Sequence, residues 1–98
     1  MYRLLGFCVL IFFIQGPALA DDILLPDAAV LCTTCHGLDG ISTIDIYPNL
    51  RGQKEKYLIK QINDFKSGSR VDPLMSPMAS LLLEKDMAAV VKYFSELK

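Results

Sequence analysis

The sequence predicts an all-α domain of three main helices joined by long loops. Apolar residues recur at helical spacing in two separate segments, no window of alternating apolar and polar residues lasts long enough for a strand, and glycine and proline punctuate the stretches between. The chain has 98 residues, with 10 Lys and Arg against 11 Asp and Glu and a formal charge of −1. That size suits one small domain, and the charge lacks the basic footprint of a nucleic-acid binder.

Residues 1–20 read as a removable export signal. Arg3 supplies the positive start, residues 4–14 ("LLGFCVLIFFI") the apolar run, and "ALA" (residues 18–20) the small-residue cleavage site, with cleavage expected after Ala20. The run falls short of the roughly 20 residues that a spanning helix needs. Cys8 leaves with the signal, and residues 21–98 form the mature domain. Export implies an oxidising compartment, the bacterial periplasm, where free thiols do not persist without a purpose. A domain this short also needs a staple, a metal or a large cofactor to supplement its core.

The first helix is expected over residues 26–37, "PDAAVLCTTCHG". Pro26 suits a first turn, Asp27 complements the positive end of the dipole and Gly37 terminates it. Residues 37–53 form a loop with a turn at "YPNLRG". The second helix, residues 54–67, places Tyr57, Leu58, Ile62 and Phe65 at helical spacing and ends at Gly68. Residues 69–78 carry Pro73 and Pro77 and are expected to be extended, without a regular helix. A C-terminal amphipathic helix follows, with Met87, Val90, Val91, Phe94 and Leu97 on one face. Loops this long need something to wrap around.

The stretch "LCTTCHGLDG" names that object. Cys32, Cys35 and His36, the only histidine, share one helical face at i, i+3 and i+4. A thioredoxin-type redox site needs a βαβ context, which is missing. Structural zinc needs about four ligands, and the mature chain has no second pair. A bare disulfide leaves the adjoining histidine without a role. Cys-x-x-Cys-His is, however, the attachment motif of a c-type haem: both thiols add to the vinyl groups as thioethers, and the next residue offers its imidazole to the iron. A methionine thioether is the usual sixth ligand in electron-transfer haem proteins. Met87 falls on the apolar stripe of the last helix and reads as core. Met75 and Met78 both lie in the proline-bracketed segment, and spacing alone does not separate them.

Taken together, "CTTCHGLDG", "YPNLRGQKEKYLIKQINDFKSGSR" and "MSPMASLLLEKDMAAVVKYFSEL" resemble, in order, three blocks of the class I cytochromes c. The resemblance covers nearly all of residues 28–97 and is nearest to short bacterial monohaem forms and to single domains of periplasmic dihaem cytochromes. It implies the small class I fold wrapped around one covalent haem c, with Cys32 and Cys35 as thioether anchors and His36 as proximal ligand. Counting seven residues back from Leu82 makes Met75 the distal ligand. The resemblance also implies that the Pro48 carbonyl accepts from the His36 ring. Two positions depart from the pattern. Leu83 stands where a Ser or Thr usually caps the last helix, and Arg51 replaces a small residue, adding charge near the haem rim.

The function so implied is a periplasmic electron carrier, not an enzyme, meeting redox protein donors and acceptors transiently, membrane-bound oxidases or reductases included, with no small-molecule substrate and no nucleic acid. Two rivals share the motif: a haem subunit of a periplasmic dehydrogenase, and a ligand-binding or sensory haem protein with a labile distal methionine. Lys56 and Lys60 share a polar helical face that could steer a partner, although Asp64 offers Lys60 a local pair.

Overall fold

The computed structural model describes residues 6, 8–11 and 24–98. The cleavage site and most of the expected export signal lie outside the described residues. Within them Cys8 is an exposed free thiol, and no helix is long and apolar enough to cross a membrane.

All regular structure among the described residues is helical. A 3-10 turn at Asp27–Ala29 runs into α1 (Val30–His36), followed by α2 (Glu55–Ser67), α3 (Met75–Leu81) and α4 (Glu84–Glu96). The first expected helix is therefore split. Pro26 precedes it in extended backbone, its carbonyl accepts from the Ala29 N–H at 2.9 Å, and α1 proper carries the cysteines and His36. The second expected helix is α2, stopped as predicted by Gly68 in the left-handed conformation at φ +84°.

The expectation of chain without a regular helix at residues 69–78 holds over 69–74 and is corrected by α3 over 75–78. Neither proline breaks this helix: Pro73 precedes it, and Pro77 is its third residue, where the N–H that proline lacks would have no intrahelical partner. Asp72 supplies the acceptor that starts it, with Oδ2 taking the Leu74 and Met75 N–H groups at 2.9 and 2.8 Å.

Helix α4 supplies most of the core. Met87, Val90, Val91, Tyr93 and Phe94 are buried, and with Ala29 and Leu58 they form one cluster onto which Leu97 packs from the last turn. Each large apolar side chain so buried contributes about 1.5–3 kcal/mol relative to exposure. Leu83 brings no capping side chain to α4, but its carbonyl accepts the Asp86 N–H at 2.9 Å, and Glu84 and Asp86 place negative charge in the first turn. The 3-10 turn packs on α4, α2 packs on both α3 and α4, and among the described residues α3 touches no other helix than α2. Helices α1 and α3 consequently stand apart, with a cavity between them.

Candidate functional site

The cavity between α1 and α3 measures about 610 Å³, within the range of small-molecule and cofactor sites. On the α1 side its wall carries Cys32, Cys35 and His36, and on the α3 side Met75 and Met78. Between them the lining is mostly apolar, with Leu58, Phe65, Val90 and Phe94 at its floor. Both thiols are free and half-buried. Burial pushes the Cys32 thiol above its ordinary pKa, and the neighbouring Cys35 adds to the effect.

His36 is buried, at 6 % exposure, and its ring is fixed by one hydrogen bond: Nδ1 lies 2.7 Å from the Pro48 carbonyl. A carbonyl oxygen only accepts, so Nδ1 carries a proton, and in the neutral ring the lone pair is on Nε2. A ligating histidine is held in the same way, with the partner bond also raising its basicity. The partner predicted by resemblance is thus the partner observed.

Pro48 is placed by the loop from 37 to 53, which has no regular structure but is bonded at several points. Gly37 ends α1 at φ +86° and ψ +147°, a conformation open to glycine and costly for other residues. A Cβ there would lie 2.2 Å from the Ile41 carbonyl oxygen, so the tightness of the turn requires glycine as well. The Gly40 carbonyl then accepts from Leu50 and Arg51 at 2.8 and 3.1 Å, and the Gly52 N–H donates to the Phe94 carbonyl of α4 at 2.9 Å. From α4 the Tyr93 hydroxyl donates to the Leu38 carbonyl, two residues beyond His36. The loop is pinned at its start, its crossover and its end.

On the opposite wall Met75 and Met78 sit three residues apart on α3, both half-buried. The Met75 and Leu74 N–H groups hold the Asp72 carboxyl below the usual carboxylate range. Met87 is in the core at 4 % exposure and does not line the cavity, as its place on the apolar stripe predicts.

Two residues correct or extend the sequence reading. Arg51 is exposed and lies outside the lining; the one Arg or Lys side chain on the cavity wall is Arg70. Its guanidinium donates to Gln61 Oε1 at 2.7 Å and stands 4.6 Å over the Phe65 ring. Arg70 is the last residue of the "GSR" ending of the second block, the signal that could have found it. Lys60 meets Asp64 on the exposed face of α2 at 2.5 Å, the local pair that spacing predicts.

A cytochrome c family model matches residues 24–98, which is the whole of the continuous described chain. The chain belongs to the cytochrome c family. Among its relatives are cytochrome c4 of Pseudomonas aeruginosa, 40% identical over 70 residues (71% of this chain, 35% of that protein), and cytochrome c-554(548) of Halomonas halodenitrificans, 42% identical over 67 residues (65% of this chain, 81% of that protein). A relative in Stutzerimonas stutzeri, 42% identical over 64% of this chain and 30% of its own length, is named as a thiosulfate dehydrogenase electron acceptor. The crystal structure of reduced recombinant cytochrome c4 from Pseudomonas stutzeri superposes with a TM-score of 0.62 at 36% identity, covering 68% of this chain and 38% of that one. The chain spans about a third of the length of the cytochrome c4 relatives.

Cytochromes c carry haem c, with its iron, covalently bound, and the residues present fit that group. The donors on the walls are thiol, imidazole and thioether, the set that suits haem iron and its attachment, and the floor is apolar enough to bury a porphyrin.

Proposed function

We propose that this chain is a single-haem electron-transfer domain in which Cys32 and Cys35 form the thioethers, His36 Nε2 is the proximal ligand and Met75 the distal one. The observation that carries the reading is the 2.7 Å bond from His36 Nδ1 to the Pro48 carbonyl, which leaves Nε2 free in a cavity whose far wall holds two thioether sulfurs. The bound haem supplies a one-electron Fe(III)/Fe(II) couple. His36 is kept in one tautomer by Pro48, and the loop bonds keep Pro48 in place. Met75 offers a soft neutral sulfur, which favours the reduced state. Phe94, Val90 and Leu58 exclude water from the floor.

Were His36 and Met75 both to hold the iron, no position would be left open for a substrate, as a carrier rather than a catalyst requires. Its partners are redox proteins that dock briefly through a small interface. A relative named as an electron acceptor of a dehydrogenase supports an oxidoreductase as donor. Residues 1–20 act as an export signal removed after Ala20, and the periplasm is the place of action.

The test is the visible spectrum of haem-loaded protein, oxidised and reduced, with and without carbon monoxide, for wild type and Met75→Ala. The wild type shows a far-red sulfur-to-Fe(III) band and ignores the gas; Met75→Ala loses the band and binds it. If Met75→Ala keeps the band, Met78 is the ligand. If the wild type binds carbon monoxide readily, the carrier reading gives way to ligand binding.

A further inference from the structure

Residues 73–77, which lead into α3 and open it, have a simple donor inventory. Pro73 and Pro77 have no N–H, so the segment presents only those of Leu74, Met75 and Ser76. All three end on one residue: Leu74 and Met75 donate to Asp72 Oδ2 at 2.9 and 2.8 Å, and Ser76 to the Asp72 backbone carbonyl at 3.0 Å. The arrangement is reciprocal, because the Asp72 N–H donates to Ser76 Oγ at 2.9 Å. The helix has seven residues, far below the length at which helices persist unaided. Only Ala79 of α3 is fully buried, and among the described residues α2 is the one helix it packs on. Its far end is tied separately, by Lys66 Nζ donating to the Leu82 carbonyl.

We propose that Asp72 and Ser76 are positioning residues for Met75, their reciprocal cap holding the first turn of α3 closed and so setting how readily the Met75 thioether is released. The proposal rests on Met75 as the distal ligand. It makes the strength of one cap the quantity that separates a closed electron carrier from a haem protein open to small ligands. Losing the carboxylate releases two of these three donors, those of Leu74 and Met75, so an opened cap frees the backbone of the ligand itself. Because Pro77 gives the turn no N–H of its own, no donor further along the turn substitutes for those two bonds.

The experiment uses haem-loaded protein and reads three signals: the far-red sulfur–iron band, the rate of carbon monoxide binding to the reduced form, and amide hydrogen exchange at Leu74 and Met75. Asp72→Ala raises the carbon monoxide rate and both exchange rates by roughly fivefold, the opening expected from loss of a side-chain cap. Asp72→Asn, which retains an acceptor and loses the charge, stays within about twofold of wild type. Ser76→Ala, which leaves both Asp72 Oδ2 bonds in place, falls between. An Asp72→Ala rate equal to wild type overturns the proposal, and so do equal effects of Ala and Asn, which would assign the role to charge. Should Asp72→Ala not load haem, Asp72→Asn and Ser76→Ala decide by the same order of rates. Met75→Ala is the reference: if it keeps the band, the ligand reading itself fails, an outcome distinct from a silent cap.

Discussion

Replacing Tyr93 by Phe deletes one oxygen from α4 and leaves everything else in place. The ring is 5 % exposed and packs edge-on against Phe94, with centroids 5.0 Å apart and planes at 81°. Phenylalanine keeps that contact. What is lost is the hydroxyl bond to the Leu38 carbonyl, which ties the C-terminal helix to the turn just after His36. The magnitude depends on the carbonyl left behind. A buried orphan acceptor costs about 1–3 kcal/mol, whereas a bond exchanged for water costs about 0.5–1.5 kcal/mol. The bond is only part-buried and Leu38 itself is 63 % exposed, so the lower figure of about 1 kcal/mol is the one expected. In a domain of this size that lowers Tm by roughly 4–8 °C. Guanidinium unfolding of haem-loaded protein, followed by circular dichroism, reads the change as a lower midpoint at constant slope. The visible spectrum stays as in wild type, since the bond from His36 to Pro48 is untouched. A loss above about 3 kcal/mol would mean that the turn collapses without Tyr93, and no loss at all would mean that the bond contributes nothing; either result refutes the reasoning.

Two further substitutions separate packing from backbone geometry. Phe94→Ala empties a site that is 1 % exposed and shared by core and cavity, and it should cost about 3–5 kcal/mol in the same denaturation assay, with weakened haem retention on heating. Gly37→Ala faces a Cβ 2.2 Å from the Ile41 carbonyl at a φ of +86°, so the loop must move; a cost of at least about 1–3 kcal/mol is expected, with an altered His36 environment visible in the spectrum.

The site was legible where chemistry and spacing coincide. Two thiols and an imidazole on one helical face already define a cofactor, and α2 and α4 announce themselves by apolar stripes and, for α2, by Gly68. Helix α3 was misread because proline was weighed as a breaker. Asp72 followed by Pro73 is equally a start signal, an N-cap before a residue that needs no donor, and the cap bonds show that this second meaning prevails. Tyr93 has helical spacing to both Val90 and Leu97, yet a hydroxyl-bearing residue is easily left off an apolar face. The loop from 37 to 53 was beyond pattern reading altogether. Its shape comes from bonds between distant residues, such as Gly40 with Leu50 and Gly52 with Phe94, which no local window contains. Arg70 was visible within a block but had no assignable role until the cavity gave it a place.

Helix α4 contributes five of the seven residues in the core cluster, including both large side chains that are almost fully enclosed, Val91 and Phe94. Ala29, at the other end of the described chain, packs into that same cluster. The cysteines and histidine are therefore early in the chain and their supporting wall is late, so the pocket cannot be assembled from the N-terminus forward. Closing it joins segments some sixty residues apart, which gives this helical domain a folding problem of the kind usually met in sheets: distant pairing before local reward, and slower folding than its helix content alone suggests. A chain cut before Glu84 would keep every proposed haem ligand but lose Val90, Val91 and Phe94 from the wall that buries the haem, leaving Leu58, Ile62 and Phe65.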